Sequence, residues 1–506
     1  MKMRVVSFLL VFGLLLIGCP AIAEEAPVEI HWFCIDNSSG SVSLNADMPV
    51  WKQLAERNNL VINIEAVSGA DLGQKFNLYL SSGDMPDVMQ APNMDIVNQY
   101  GMQGAFVALD EHLDTMSNVQ AYLNSDEQLK KALTASDGHV YAISEYRPFP
   151  NTEPNPLIRQ DWLDNLDLEM PTTIDEWYHV LKAFKEQDAN GNGDPDDEIP
   201  FSGFFGGLSK FKGLLRGFGI IYDFYPDENG QYQYWYISDE MREAITWLHK
   251  LYNEGLIDAD IASNDQTLFD QKFDNNTVGV FDGYFFTSVI NKNALGATLL
   301  PGIKLIGAPP IQMADGGYAV STSLVALCYY TINAASDKIN ECLKLFDYIW
   351  SEEGMLLTTM GIEGETWITD GDKGPVYTDV ILNNPEGMSG TNALRSYGGL
   401  NGMPYIHSPM YRIGLYPEEL REMAQNTYDT YAAVAKYNPI SLAFTEDETA
   451  VNATYLGDIN TFVNEMLLKF IYGQEALDGW DAFVDNVKAM QLNTVLANYQ
   501  AAYERK

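Results

Sequence analysis

Positive charge and cysteine are both scarce in this chain of 506 residues, and each shortage excludes a class of function. Lysine and arginine number 30 against 70 acidic residues, which gives a formal net charge of −40. A surface that binds nucleic-acid phosphates needs clustered cations, and the sequence has no such cluster, so no nucleic-acid partner is expected. Beyond the N-terminal region only Cys34, Cys328 and Cys342 remain, without CxxC spacing, which excludes a disulfide framework.

Catalytic signatures are also missing from the sequence. It contains no HExxH, GxSxG or GxxxxGK[ST] motif and no dinucleotide-binding fingerprint. Its six histidines are scattered without ligand spacing. Because acidic residues are so numerous, a pair of carboxylates carries no weight as a glycosidase signature. These absences favour binding over catalysis, and we expect that the protein is not an enzyme.

The N-terminus has the pattern of a secretion signal. Lys2 and Arg4 precede an apolar run at 5–17 that is too short to span a bilayer comfortably, and no later segment reaches transmembrane length. Two processing sites compete. The letters LIGC ending at Cys19 resemble a lipobox, whereas AIA at 21–23 favours ordinary cleavage. Residues 1–23 are therefore predicted to be a signal peptide, and the mature protein to be extracellular, either secreted or lipid-anchored to the outer face of the membrane.

The chain is too long for one hydrophobic core, so two lobes are expected. The first region alternates between strand and helix patterns, with Asp71 expected to cap the second helix and Gly83 to end it. This β-α-β-α-β order predicts a parallel sheet, and ligands bind outside the carboxyl ends of such strands. The segments that carry the pattern are 29–34, 49–57, 60–67, 71–83 and 87–89, and the expected ligand loops are 32–40, 67–71 and 90–95.

A second α/β region follows a linker-like stretch, NTEPNP, at 151–156. Thr173 and Glu176 form a capping box that predicts a helix, and a later helix over 238–254 should stop at Gly255. VGVF at 278–281 has the pattern of a strand, and from Ser336 onward the periodicity is mostly helical.

The segment DANGNGDPDDEIP at 188–200 has the spacing of a calcium-binding loop. Carboxylate and amide side chains stand at its first, third and fifth positions, and Gly193 stands at the sixth, where a sharp turn is required. The usual glutamate at the twelfth position is replaced by Ile199, so Asp197 or Glu198 would have to complete the site. We expect a structural Ca²⁺, with a solvated Asn/Gly turn as the alternative. The candidate ligands are Asp188, Asn190, Asn192, Asp194 (through its backbone carbonyl), Asp196, Asp197 and Glu198.

Four stretches together resemble one protein family. They are SGDMPDV at 82–88, RQDWLDNLDLEMPTTIDEWYHVLKAF at 159–184, the acidic loop at 188–200, and LFDYIWSEEGMLLTTMGIEGETW at 345–367. In combination they resemble the extracellular solute-binding proteins, family 1, which deliver sugars or oligosaccharides to ATP-binding-cassette (ABC) importers. The likeness is to the oligosaccharide- and alginate-binding type with an EF-hand-like calcium loop.

This resemblance implies an α/β fold of the two-lobe periplasmic-binding-protein type II, with parallel-sheet lobes joined by a hinge and a helical C-terminal part. It implies an N-terminal lobe of residues 24–145 with about 283–345, and a C-terminal lobe of 146–282 with about 346–506. The expected partners are a sugar or oligosaccharide and a membrane permease, and the chain is expected to be a monomer. The alternatives are a calcium-dependent polysaccharide-cleaving enzyme and a receptor for a non-sugar solute.

Candidate ligand residues follow from the chemistry of sugars. Saccharide clefts place aromatic faces against the sugar ring, and carboxylates and amides against its hydroxyls. Residues of these types stand after strand ends, near the lobe crossing and in the GIEGETW stretch, although core packing is the alternative for each aromatic. Few basic residues fall in these loops, which favours a neutral glycan over a uronate. The candidates are Trp32, Asp36, Tyr146, Asp282, Tyr284, Phe285, Glu363 and Trp367.

Overall fold

The computed structural model describes residues 26–38, 43–145, 154–321, 328–371, 374–437, 442 and 444–505. The predicted signal peptide and Tyr146 lie outside these ranges. Within them, none of the helices combines the length and the apolar character that crossing a membrane requires.

The strands are short, apart from the first two, which have eight residues each. They are β1 Val28–Ile35, β2 Leu60–Val67, β3 Val88–Ala91, β4 Ile143–Ser144, β5 Asn155–Arg159, β6 Ile199–Ser202, β7 Phe224–Pro226, β8 Tyr232–Tyr234, β9 Val278–Gly283, β10 Leu305–Gly307, β11 Tyr329–Ile332, β12 Trp367–Thr369 and β13 Pro375–Tyr377.

Helices make up most of the remaining regular structure, and the longest of them lie near the C-terminus. They are α1 Pro49–Arg57, α2 Leu72–Ser82, α3 Met94–Met102, α4 Ser117–Asn124, α5 Glu127–Leu133, α6 Gln160–Asn165, α7 Ile174–Glu186, α8 Lys212–Leu215, α9 Asp239–Asn253, α10 Gln266–Asp274, α11 Thr287–Leu299, α12 Ile339–Ile349, α13 Glu352–Met360, α14 Asp379–Leu382, α15 Gly390–Ser396, α16 Pro409–Gly414, α17 Glu418–Val434, α18 Glu446–Ile471, α19 Trp480–Val487 and α20 Asn493–Glu504.

The first lobe is built on a five-stranded sheet in the order β2-β1-β3-β11-β4. β1 runs parallel to β2 and β3, as predicted, but β11 enters antiparallel to both β3 and β4, so the sheet is mixed. The predicted helix at 49–57 is confirmed, and Gly83 ends α2 with a φ of 74°. Asp71 does not cap α2, because its carboxylate accepts the Ser68 hydroxyl at 2.6 Å instead.

The second lobe is built on a four-stranded sheet in the order β10-β5-β9-β6. β5 is antiparallel to β9 and β10, while β6 is parallel to β9. Thr173 and Glu176 form the predicted capping box at the start of α7, and Gly255 follows α9 with a φ of 70°. The apolar face of α7 is buried against this sheet, since Trp177, Leu181 and Phe184 are all 0% exposed.

The predicted lobe boundaries need two corrections. α11 and β10, within the range 283–345 that was assigned to the first lobe, belong to the second, because β10 pairs with β5. The end of α12 and most of α13, beyond residue 346, pack in the core of the first lobe through Phe346 and Leu357. The sequence pattern identifies a three-residue strand poorly and does not state which sheet it joins.

Each lobe has its own hydrophobic core. Trp32, Trp51 and Phe346 are buried in the first lobe, while Trp162 and Trp177 are buried in the second. The C-terminal helices join the second core, with α18 lying against α9. The other face of the first sheet buries a further cluster of its own, and the chain passes between these separate cores on its way from one lobe to the other.

Candidate functional site

The candidate site lies at the boundary where the chain passes from one sheet to the other. Residues 145–155 link β4 in the first lobe to β5 in the second, and residues 321–328 lead from the second lobe back to β11. At the same edge of the second sheet, Gly283 at the end of β9 pairs with Asn155 at the start of β5, and Ser202 at the end of β6 pairs with Phe281. Side chains that follow these strand ends therefore lie near Asn155, where the chain enters the second sheet.

An aromatic group at this edge keeps part of its surface open. Tyr284 follows β9 and is 43% exposed. Phe204 and Phe205 follow β6, with ring centroids 4.3 Å apart, and Phe205 meets Tyr284 edge to face at 5.4 Å. Aromatic faces of this kind are where sugar rings pack. The structure thus keeps Tyr284 as a candidate and adds Phe205, which sequence reasoning missed although the letters FSGFFGG follow a strand directly.

Trp32 and Phe285, predicted as ligand-binding aromatics, are core residues. Both are 0% exposed. The Trp32 ring packs against Trp51 at 5.5 Å and Tyr330 at 5.7 Å, and its indole N–H donates to the Gly402 carbonyl at 2.8 Å. Neither side chain offers a ring face to a ligand, and we correct both predictions. Trp32 shares a face of β1 with Ile30 and Cys34, and this face is turned into the core.

Asp36 stands at the end of β1, as predicted, but its carboxylate accepts hydrogen bonds from groups of the protein itself. It accepts hydrogen bonds from the backbone N–H of Ser38 at 2.7 Å and of Leu44 at 3.0 Å, and from the side-chain amide of Asn401 at 3.4 Å. Partial burial alone would raise the pKa of Asp36, but these hydrogen bonds outweigh it and hold the pKa below its usual value. The ionised carboxylate thus joins its own loop to the C-terminal segment.

Asp282 is fully buried at the end of β9. The backbone N–H of Gly213 donates to its Oδ2 at 2.6 Å, while Oδ1 has no hydrogen-bond partner. Burial raises the pKa of Asp282 to about 7, although this hydrogen bond and the charges of Arg216 and Lys212 oppose the rise. Gly213 is needed for this approach, because a Cβ there would lie 2.5 Å from Asp282 Oδ1 and 2.3 Å from the Pro156 ring.

Glu363 and Trp367 lie apart from the other candidates. They line a surface depression of about 450 Å³ together with Arg57, Glu353 and Leu356, and none of the other predicted ligand residues lines it. Trp367 is itself only 6% exposed. The structure does not bring these two residues together with Asp36, Asp282 or Tyr284.

A buried polar relay at the boundary was missed by sequence reasoning. Glu145, just after β4, lies with its Oε2 2.8 Å from His407 Nε2, and the Arg412 guanidinium donates to His407 Nδ1 at 2.9 Å. Arg412 also lies over the ring of Phe286, in the core of the second lobe. The relay thus spans the two lobes. A sequence signal for it is absent, since its members are separated by 262 positions.

The acidic loop at 188–200 folds on itself through its own side chains. Asn190 and Asn192 each accept, through Oδ1, a backbone N–H two residues further on, at 2.9 and 2.7 Å. Their amide groups donate to the two oxygens of Asp197, both at 2.8 Å. Gly193, with a φ of 92°, donates its N–H to Asp188 Oδ2 at 2.9 Å. The sharp turn expected at Gly193 is therefore present.

Two buried carboxylate oxygens in this loop lack partners. They are Asp188 Oδ1 and Glu198 Oε2. Glu198 is only 2% exposed, and burial raises its pKa. Among the described residues, no cluster of three or more His, Cys, Asp and Glu side chains has metal-binding geometry. An oxygen-rich cation would therefore need the amide and backbone oxygens of the loop as well as its carboxylates, which is the donor set that calcium accepts.

Two α/β lobes joined by several links, with a site at their boundary, define the class of two-lobe binding proteins. A family model for bacterial extracellular solute-binding proteins matches residues 42–356, more than half of the chain, and the chain belongs to this family. The crystal structure of the alginate-binding protein AlgQ2 without calcium ion is similar, with a TM-score of 0.74 and 26% identity over 95% of this chain and 99% of that one.

Curated relatives point the same way. The lipoprotein LipO of Bacillus subtilis is 25% identical over 470 residues, 90% of this chain and 89% of its own. The fructooligosaccharide ABC transporter substrate-binding protein FusA of Streptococcus pneumoniae is 31% identical over 239 residues, so the match spans only 44% of either chain. FusA bound to kestose shares the fold, with a TM-score of 0.73 and 21% identity over 94% of this chain and 99% of that one. FusA is named as a substrate-binding protein and AlgQ2 as a binding protein.

The buried carboxyl of Asp282 predicts a pH dependence of stability. Its folded pKa of about 7 exceeds the value of about 3.9 in an unfolded chain, so its contribution to stability is fully present below the unfolded pKa and is lost as pH rises through the folded pKa. Asp282→Asn keeps an acceptor for Gly213 and removes the ionisation. We expect the unfolding free energy of the wild type, relative to Asp282→Asn, to fall by on the order of 3 kcal/mol between about pH 4 and 7.

Urea unfolding followed by tryptophan fluorescence measures this difference. Asp114→Asn, which changes an exposed carboxylate, is the control and should follow the wild type at every pH. A constant difference between the wild type and Asp282→Asn across this range would contradict a buried, neutral Asp282.

Proposed function

We propose that this protein is the extracellular substrate-binding component of an ABC importer and binds a sugar or oligosaccharide between its lobes. The observation that carries the proposal is the partly open aromatic group of Phe205 and Tyr284 at strand ends beside the lobe links. FusA, one of the relatives, is a fructooligosaccharide-binding component of such a transporter, and YtcQ of Bacillus subtilis, 23% identical over 337 residues and 64% of either chain, binds polygalacturonan and rhamnogalacturonan. The permease partner and a monomeric state are parts of the same proposal.

Closure of the lobes is the work that we assign to the ligand. A ligand that touches both lobes favours the closed form by the difference between its affinities for the two forms. The Glu145–His407–Arg412 relay already ties the lobes at one point. Lobe closure needs no bond-breaking chemistry, and we propose that the protein does not cleave its ligand.

A neutral glycan fits the charge of the chain better than an acidic one. The formal net charge is −40, and like charges repel at long range within the limits of salt screening. A uronate chain would have to overcome this repulsion at every carboxylate. The favoured ligand is therefore a neutral oligosaccharide.

A sugar panel tests the function. Kestose, nystose, a mannose-rich N-glycan, oligogalacturonides and alginate oligomers are each added to the purified protein, and melting temperature and sugar products are measured. At least one sugar should raise the melting temperature, since saturation at 100 times Kd adds about 2.7 kcal/mol of stability. The sugars should be recovered unchanged. New reducing ends or unsaturated products would instead establish the polysaccharide-cleaving alternative, and stabilisation by none of the sugars would favour a non-sugar solute.

Tyr284→Ala locates the ligand within the same experiment. Removing an aromatic face that a sugar ring covers should weaken binding about tenfold, measured by calorimetry with the sugar that stabilises most. Leu268→Ala is the matched control, because Leu268 has a similar exposed fraction of 44% against 43% for Tyr284. Equal affinities for the two variants would remove Tyr284 from the ligand set.

We also propose that the loop at 188–200 binds a structural Ca²⁺. Its ligands would be drawn from Asp188, Asn190, Asn192, Asp194, Asp196, Asp197 and Glu198. A calcium ion would satisfy the orphaned oxygens of Asp188 and Glu198 and offset the repulsion among the clustered carboxylates. One solved structure of FusA is described as an EF-hand mutant, which supports a calcium loop in this family.

Glu198 is the residue that we propose completes the calcium site. Both oxygens of Asp197 already accept hydrogen bonds from the amides of Asn190 and Asn192, whereas Glu198 Oε2 is buried without a partner. A buried carboxylate without a cation is costly, which is consistent with the raised pKa of Glu198. Asp197 then has a different role, since it holds the amides of Asn190 and Asn192 by accepting their hydrogen bonds.

Metal removal and three variants test the calcium proposal. Chelation should lower the melting temperature of the wild type by several degrees, and added calcium should restore it. Glu198→Gln should abolish the calcium-dependent gain while leaving the metal-free protein as stable as the wild type or more so, because a buried charge is removed. Asp197→Asn should lose part of the gain, and Asp194→Asn, which keeps its backbone carbonyl, should retain it. Melting curves that calcium leaves unchanged would establish a solvated turn.

Export and anchoring complete the proposal. The match to a model of extracellular solute-binding proteins supports an extracellular location, and the likeness to the lipoprotein LipO supports a lipid anchor. Intact-mass measurement of the mature protein distinguishes a lipid-modified Cys19 from a chain that begins at Glu24.

A further inference from the structure

Buried polar groups without hydrogen-bond partners gather beside the lobe links. Asp282 Oδ1, Arg216 Nη1, Tyr222 Oη and Ser321 Oγ are all buried atoms with no partner. The exposed fractions of the side chains are 0% for Asp282, 8% for Arg216 and 0% for Ser321, while Tyr222 is half-buried. Leaving such a group buried without a partner destabilises a protein. Four in one region indicate a place that another molecule completes.

Electrostatic coupling shows that these groups are neighbours. The Arg216 guanidinium lowers the pKa of Asp282 against the effect of burial. Burial likewise raises the pKa of Tyr222, and the adjacent Ser321 hydroxyl and Arg216 oppose that rise. No ion pair joins Arg216 to Asp282 in the part of the chain that the structure describes, and neither Arg216 Nη1 nor Asp282 Oδ1 has a hydrogen-bond partner.

Other buried polar side chains in this region, unlike the four, have hydrogen-bond partners. The Tyr431 hydroxyl, which also lies within the field of Arg216 and Asp282, donates to Asn155 Oδ1. The Asn155 amide in turn donates to the Ala308 carbonyl at 3.1 Å. The four residues whose buried polar atoms lack partners are named here the Arg216 cluster: Arg216, Tyr222, Asp282 and Ser321.

Three tyrosine rings pack against one another at the Arg216 cluster, to which the first of them belongs. Tyr222 stacks on Tyr225 with ring centroids 5.3 Å apart, and Tyr225 meets Tyr437 edge to face at 6.0 Å. All three rings are half-buried. Ser321 forms an isolated β-bridge with Tyr437, which connects these tyrosines to the Arg216 cluster. Aromatic faces next to convergent polar groups form the combination that recognises sugar rings.

We propose that the Arg216 cluster is a subsite that binds one terminal, uncharged sugar unit through adjacent hydroxyls, with the ring against Tyr222 and Tyr225. Arg216 supplies donors, Asp282 supplies an acceptor, and the hydroxyls of Tyr222 and Ser321 can do either. With a pKa of about 7, Asp282 is partly ionised at neutral pH, and its ionised form would repel a uronate carboxylate, so the subsite favours a neutral unit. This inference rests on the proposed sugar-binding function and names the position and the charge class of the ligand.

Removal of single hydroxyls tests the subsite. Tyr222→Phe and Ser321→Ala each delete one of two neighbouring buried hydroxyls that lack a hydrogen bond of good geometry, so stability should change little. The affinity for kestose, or for whichever neutral sugar of the panel stabilises most, should fall about fivefold to tenfold by calorimetry. Tyr472→Phe is the matched control, because its hydroxyl is also buried without a partner and its ring packs against Tyr252 instead. Its affinity should equal that of the wild type.

The other outcomes overturn the inference in distinguishable ways. If a sugar binds the wild type and Tyr222→Phe and Ser321→Ala bind it equally well, the cluster holds only water, and the proposed function stands without the subsite. If binding is confined to oligogalacturonides or alginate oligomers, the neutral subsite is wrong whatever the variants do. If no sugar binds the wild type, the proposed function and the subsite fail together.

Discussion

Neither hydrophobic core can close over the boundary between the lobes, because the chain must leave both sheets there. Trp32 and Phe346 anchor one core, and Trp162 and Trp177 anchor the other. Polar groups at the boundary therefore depend on partners from the opposite lobe, from the C-terminal segment or from outside the chain. Asp36 finds Asn401 and Glu145 finds His407, whereas Asp282 Oδ1 and Arg216 Nη1 find no partner. We propose that the groups with hydrogen-bond partners hold the lobes together and that the groups without partners face a ligand.

The second lobe carries most of the residues that we propose bind the ligand. The acidic loop of this lobe lies at the other end of β6 from its aromatic group. Glu198 directly precedes β6, and Phe204 and Phe205 follow its end. Four residues of strand span about 13 Å. An ion that fixed the start of β6 would thereby hold the register of a strand whose far end supports the open ring of Tyr284. A calcium ion bound there would be remote from the proposed ligand and would act by keeping the aromatic group in place.

Local signals in the sequence predicted local structure well. Pro49, Gly83 and the Thr173–Glu176 capping box bounded helices that the structure confirms. Pairings between distant segments were beyond the reach of such signals. β10 and β11 have three and four residues, so their hydrophobic pattern is too short to show which sheet each one joins. The lobe boundaries implied by the resemblance place β10 in the first lobe, whereas it pairs with β5 of the second.

The site was harder to predict for the same physical reason. Trp32 and Tyr284 were predicted alike from residue type and strand position, yet one is buried and the other is 43% exposed. Exposure depends on what covers the ring, and Trp32 is covered by Trp51 and by Gly402, a residue from the far end of the chain. His407 and Arg412 come from that end as well. A single sequence contains no trace of these approaches, whereas the calcium loop is contiguous and could be found by its spacing.

The unpartnered groups also bear on how a ligand would close the lobes. Each buried polar atom without a partner raises the free energy of the ligand-free state by roughly 1–3 kcal/mol, which packing elsewhere in the lobe has to offset. A sugar hydroxyl that supplies the missing hydrogen bond removes this cost only while it is held in place. The gain is therefore specific to the liganded form, and a ligand that is also touched by the first lobe converts it into a preference for closure. Replacing these four residues by apolar ones would stabilise the ligand-free protein but would remove its preference for closure. The same unpartnered groups therefore destabilise the ligand-free protein and make it respond to a ligand.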